Sequence, residues 1–183
     1  MSLSPQDAAT TLHEAETAIR RSARAYGYRC ASPHLILWGA IWVLGYCGSW
    51  LSPSLSGWFW AGLCVGGGLL SGYFGYRTKT QVTAGMGWRI AALVAATAVF
   101  IVTVYALFGP VTGPQAAAFP ALLVGIVYFG IGLWGQTRMA ITGAAVYAST
   151  LGGYYLLAPY FLLWMAFVGG GALIASGLWL RRL

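Results

Sequence analysis

Hydroxyl side chains are the most versatile groups that this chain places inside its long apolar stretches: Thr97, Thr103, Tyr147, Ser149, Thr150 and Ser176. A hydroxyl donates one hydrogen bond and accepts others, so a file of them can pass a small neutral solute or fasten helices together. Without a neighbouring base it is a weak nucleophile, and the sequence holds no Ser-His-Asp set, no HExxH and no phosphate loop. Gly66-Gly67-Gly68 lies within a helix-length apolar run, where it cannot form the loop that cradles a phosphate. His34 is the single histidine near an apolar stretch, and with Cys30 it makes two ligands where a metal site needs three or four. Cys30, Cys47 and Cys64 are odd in number and lack CxxC spacing, so they read as buried thiols rather than a disulfide framework. No catalytic residue, cofactor or metal is expected.

The elements that carry these hydroxyls follow from composition. Hydrophobic residues make up 59% of the 183-residue chain and charged ones 7%, against about 25% in an ordinary soluble domain. Too few charges are present to cover a water-facing surface, so much of that surface must face lipid. Crossing a bilayer takes about 20 apolar residues. Six stretches with no charge in their interior qualify, at 33–51, 57–76, 88–108, 117–136, 139–157 and 159–179. Between them stand turn formers: Ser52-Pro53-Ser54, Gly85-Met86-Gly87, Gly109-Pro110, Gly113-Pro114 and Ala158-Pro159. Pro33 and Pro159 are expected to open helices, where the missing N–H is harmless, and Pro120 lies a turn inside the fourth span. The fold class is therefore an all-α integral membrane protein with six transmembrane helices.

Charge placement orients the spans. Arg20, Arg21, Arg24 and Arg29 precede the first, Arg77, Lys79 and Arg89 separate the second and third, Arg138 separates the fourth and fifth, and Arg181 and Arg182 follow the sixth. All ten basic residues thus fall on one side, which predicts an inner-membrane protein with both termini cytoplasmic. The net charge of +7 then requires no nucleic acid. Trp50, Trp58, Trp60, Tyr105, Tyr154, Tyr155 and Tyr160 gather at the opposite ends, as an interfacial aromatic belt does. The first 30 residues lack an apolar h-region, so no cleavable signal peptide is expected.

Two internal patterns suggest duplication. Spans two, four and six end alike, as Gly72-Tyr73-Phe74 with Arg77, Gly132-Leu133-Trp134 with Arg138, and Gly177-Leu178-Trp179 with Arg181, which suggests three helical hairpins. A rival alignment of Ala31-x-Pro33-x-Leu35 with Ala118-x-Pro120-x-Leu122 suggests two inverted halves, an arrangement common in transporters.

Helices in lipid associate through small residues and hydroxyls. Gly68 with Gly72 and Gly171 with Ala175 have GxxxG-type spacing and are the candidate helix–helix contacts, and the hydroxyl-rich fifth span is the candidate centre. Residues 1–30 read as a cytoplasmic amphipathic helix lying beneath the six-helix domain of residues 31–183. Ser4 caps it, Ala8, Leu12, Ala15, Ile19 and Ala23 form its stripe, and Glu16 with Arg20 makes an i,i+4 pair. The expected function is non-catalytic: an accessory, structural or regulatory protein that binds a second copy or a membrane partner within the bilayer. The alternative is a channel or facilitator for a small neutral solute.

Overall fold

The computed structural model describes residues 5–77, 86–109, 111–134 and 136–182, and every regular element among them is helical. The helices are α1 (Pro5–Leu51), α2 (Ser56–Arg77), α3 (Met86–Phe108), α4 (Gly113–Leu133), α5 (Thr137–Leu156) and α6 (Ala158–Arg181). Ser4, Lys79, Gly85 and Pro110, with the side chains of Asp7, Ala8, Arg20, Arg24, Met86, Gly87 and Arg89, lie outside the described residues. Among the described residues three helices are long and apolar enough to cross a membrane, Ala9–Leu51, Gly113–Leu133 and Ala158–Arg181, and Ala95–Phe108 is a shorter apolar stretch. Glycine, tyrosine, tryptophan and hydroxyl residues dilute the hydropathy of α2 and α5.

α1 corrects two expectations. It is one 47-residue helix with Pro33 in its interior, so the amphipathic segment and the first apolar stretch are continuous and Pro33 opens nothing. Nor is the N-terminal part packed beneath the bundle, because Leu12 and Ile19 are exposed. The chain begins to bury side chains at Tyr28. From there Tyr28, Ser32, Leu35, Gly39, Trp42, Tyr46 and Ser49 are all buried, and their alternating spacing of four and three keeps one seam against the neighbouring helices.

That seam lies against α6, which runs antiparallel to α1. Ser32 donates to the Gly177 carbonyl at 2.7 Å. One level away, a β-carbon on Gly39 would fall 2.8 Å from the Gly170 carbonyl, so only glycine allows the two backbones to meet there. α6 starts with a 3-10 turn, Ala158–Tyr160, that separates it from α5, and it contains a π-helical turn at Met165–Gly170. Phe161, Met165, Gly169, Leu173 and Gly177 are buried at steps of four. In a regular helix this spacing would rotate off one face, and the wider π turn takes up the excess residue.

α4 and α5 make the other intimate pair. Gly143 abuts Phe129 and the Gly125 carbonyl, and Gly132 abuts the backbone of Ala140. α6 contacts α1, α4 and α5, so it rather than α5 is the central helix: its glycines meet α1 while Ser176 reaches α5. The tight pairs α1–α6 and α4–α5 cut across a grouping into hairpins α1–α2, α3–α4 and α5–α6. α2 rests on α1 with only Gly67 buried. α3 rests on α4 through Phe100 and Tyr105 against Phe119. The large apolar side chains of α2 and α3 point mostly outward, Val65, Leu69, Val99 and Val102 among them.

Candidate functional site

The hydroxyls occupy three places rather than one path. On α5, Thr150 and Ser149 both donate to the Val146 carbonyl, at 2.7 and 3.0 Å. Thr142 Oγ1 lies 2.9 Å from the Arg138 carbonyl and 3.0 Å from Ser176 Oγ. With one proton to give, it donates to the carbonyl and accepts from Ser176, which joins α5 to α6. Trp164 fixes the same interface by donating its indole N–H to the Ser149 carbonyl at 2.8 Å. Tyr147 is 39% exposed and backs onto Gly125 with its Cβ, while Thr103 is exposed and Thr97 half-buried on α3. The structure therefore pairs Ser149 with Thr150 at the Val146 carbonyl and, separately, Ser176 with Thr142. It leaves Tyr147, Thr97 and Thr103 outside both pairs.

The candidate GxxxG positions also face outward. A β-carbon on Gly68, Gly72 or Gly171 would meet nothing within 4 Å, and Ala175 is exposed. Within this chain the close contacts are made by Gly39, Gly170, Gly125, Gly132 and Gly143 instead. The thiols are a further correction: Cys64 is exposed and Cys30 and Cys47 are only half-buried, all three unpaired.

At the end of the bundle where α1 turns into α2, aromatic groups serve two purposes. Trp50, Trp58, Tyr155 and Tyr160 are exposed as a belt requires. Trp60, Tyr105 and Tyr154 turn inward. Trp60 donates to Ser49 Oγ at 3.1 Å, Ser49 lies 2.7 Å from Ser56, and the Trp60 ring meets Tyr46 edge-on. Tyr105 repairs a defect in α4. Pro120 has no N–H, so the Ala116 carbonyl lacks its helical donor, and the Tyr105 hydroxyl supplies one at 2.6 Å from α3. Tyr46 on α1 also reaches α4, donating to the adjacent Ala117 carbonyl at 3.1 Å. Thr112 caps α4 reciprocally with Gln115, a capping box that precedes Pro120 by two turns.

At the opposite, basic end Arg138 is fixed by the protein itself. Its guanidinium donates to the Trp179 carbonyl at 3.0 Å and sits 4.3 Å from the Trp179 ring centroid and 6.0 Å from that of Tyr28. The backbone N–H of Arg138 donates to the Tyr28 hydroxyl at 3.5 Å. This junction ties together α1, α5 and α6. Among the described residues no group of three or more His, Cys, Asp or Glu gathers where it could hold a metal. Ser32 and Gly39 were missing from the sequence reading, which had Arg138 only as a basic flank and Tyr105 only as a belt residue. The heptad spacing from Tyr28 to Ser49 was the available signal for the first two. No family model, curated protein or solved structure matches this chain.

Proposed function

We propose that this chain is a six-span inner-membrane protein with both termini in the cytoplasm, which acts by helix contact rather than by catalysis. The observation that carries this reading is the state of the buried hydroxyls. Ser32 bonds α1 to the Gly177 carbonyl of α6 and Thr142 bonds α5 to Ser176 of α6, while Thr150 is satisfied within α5 by the Val146 carbonyl. Hydroxyls bonded in this way hold helices, and a solute path would need them turned toward a lumen. The outward apolar faces of α2 and α3, with Gly68 and Gly72 open on α2, supply surface for lipid and for a second copy or a membrane partner.

Two measurements test it. Single cysteines at Ser54 and Gln136 in a cysteine-free background should label from opposite sides of the membrane, Ser54 from outside and Gln136 from the cytoplasm. The reverse pattern, or both from one side, would overturn the topology. Cross-linking in native membranes should then trap a homo-oligomer or a partner chain. A strictly monomeric, partner-free protein that also speeds neutral solutes into liposomes would replace contact with facilitation.

A further inference from the structure

The geometry points to a binding site for an anionic phospholipid in the cleft between α1, α2 and α6 at the basic end of the bundle. The inference rests on the membrane reading above. The cleft has a volume of about 610 Å3, and its walls include Arg29, Pro33, Ile36, Leu37, Phe74 and Arg181. Two guanidinium groups from different helices stand at its mouth. Ile36 and Leu37 continue the wall roughly 10 Å further along α1, as far as a headgroup lies from its acyl chains.

No acidic side chain of the sequence stands near these two charges. The acidic side chains are Asp7, Glu14 and Glu16 alone, so none follows residue 16. Along α1 Glu16 is roughly 20 Å from Arg29. Arg138 and Arg77, at the same end, stack on Trp179 and Tyr73, whereas Arg29 and Arg181 share the cleft. Pro33 adds an acceptor there, because it has no N–H for the Arg29 carbonyl. Guanidinium pairs match a phosphate, and a carbonyl beside them matches the hydroxyls of a glycerol headgroup. Phosphatidylglycerol combines both with acyl chains for the apolar wall. Phe74 closes the α2 side, its ring against His34 at 6.1 Å.

A lipid uses the whole cleft, and a free phosphate only its mouth. Native mass spectrometry of the full chain released from mild detergent, with phosphatidylglycerol, phosphatidylcholine or inorganic phosphate added, separates these. Wild type should retain phosphatidylglycerol over phosphatidylcholine by roughly thirtyfold, the effect of two basic groups, and excess phosphate should not displace it. R29Q/R181Q should lose that preference, R29K/R181K should keep most of it, and R21Q, on the exposed part of α1, should be unaffected. Where the double variant unfolds, R29Q and R181Q are read singly, each expected to lose roughly fivefold. Equal retention of the two lipids by wild type, displacement by phosphate, or a preference that survives the glutamine changes overturns the site. Alkaline carbonate extraction of the same membranes keeps the two readings apart. Release of the chain sinks the membrane assignment, and retention without lipid preference sinks the cleft alone.

Discussion

A single methyl group distinguishes the seams that hold this bundle from the glycines that merely decorate it. At Gly39 the new β-carbon would press on the Gly170 carbonyl at 2.8 Å and on Ile174 at 2.7 Å. Backbone cannot swing aside, so α1 and α6 must part, at about 1–3 kcal/mol, against which alanine's better helix propensity returns at most about 1 kcal/mol. Gly39→Ala should therefore lower the unfolding midpoint in detergent. Gly171→Ala, which meets nothing, should leave it unchanged or slightly raised. The opposite order would show that the α1–α6 seam is not where the helices meet. Thr142→Val is a second probe of the same kind. It keeps the shape and deletes the acceptor of Ser176, a loss of about 0.6–1.7 kcal/mol for a hydroxyl bond between membrane helices, readable in the same melts. Such residues were half legible. The hydroxyls of α5 announced themselves by standing in an apolar run. Which of the 26 glycines face a neighbour could not be read, because GxxxG spacing occurs on open faces as well as closed ones.

At the scale of elements, helix limits were readable wherever turn formers cluster. The stretch 57–76 became Ser56–Arg77, and 139–157 became Thr137–Leu156. Proline misled where the environment could absorb it, as Pro33 shows inside α1. Pro120 makes the absorption testable. If Tyr105 replaces the donor that Pro120 lacks, Tyr105→Phe should cost about 1 kcal/mol in wild type, where the Ala116 carbonyl is then abandoned. In a Pro120→Ala background, where residue 120 supplies its own N–H, the same change should cost much less. A double-mutant cycle measures the difference, and additive effects would refute the repair. The π turn in α6 had no sequence signal beyond steps of four among its buried residues. A π turn amounts to one residue too many in an α-helix, so deleting exposed Phe167 should restore a regular helix and keep Leu173 and Gly177 on their face. Deleting exposed Ile126 from α4 has no such surplus to remove. It should rotate Gly132 away from Ala140 and unfold the α4–α5 pair, as loss of folded protein in size-exclusion profiles would reveal.

The whole molecule is shaped by the mismatch between α1 and everything else. Its 47 residues extend roughly 70 Å, more than twice the hydrocarbon thickness of about 30 Å. The part before Tyr28 buries no described side chain, so the bundle does not hold it in place. A helix without tertiary contacts is marginal in water and opens often. Arg21 is exposed on it, while the arginine at the α5 junction is clasped by Trp179. Trypsin should consequently cut at Arg21 long before it reaches Arg138, and leave a core from Ser22 onward that melts as the intact chain does. With cytoplasmic termini, that cut should appear in inside-out vesicles and be absent from right-side-out ones. Cutting from outside would reverse the orientation drawn from the basic residues. Protection on both sides would mean that the exposed Leu12 and Ile19 are covered in the membrane, by lipid or by a partner, and would move the contact surface from α2 and α3 to the N-terminal helix.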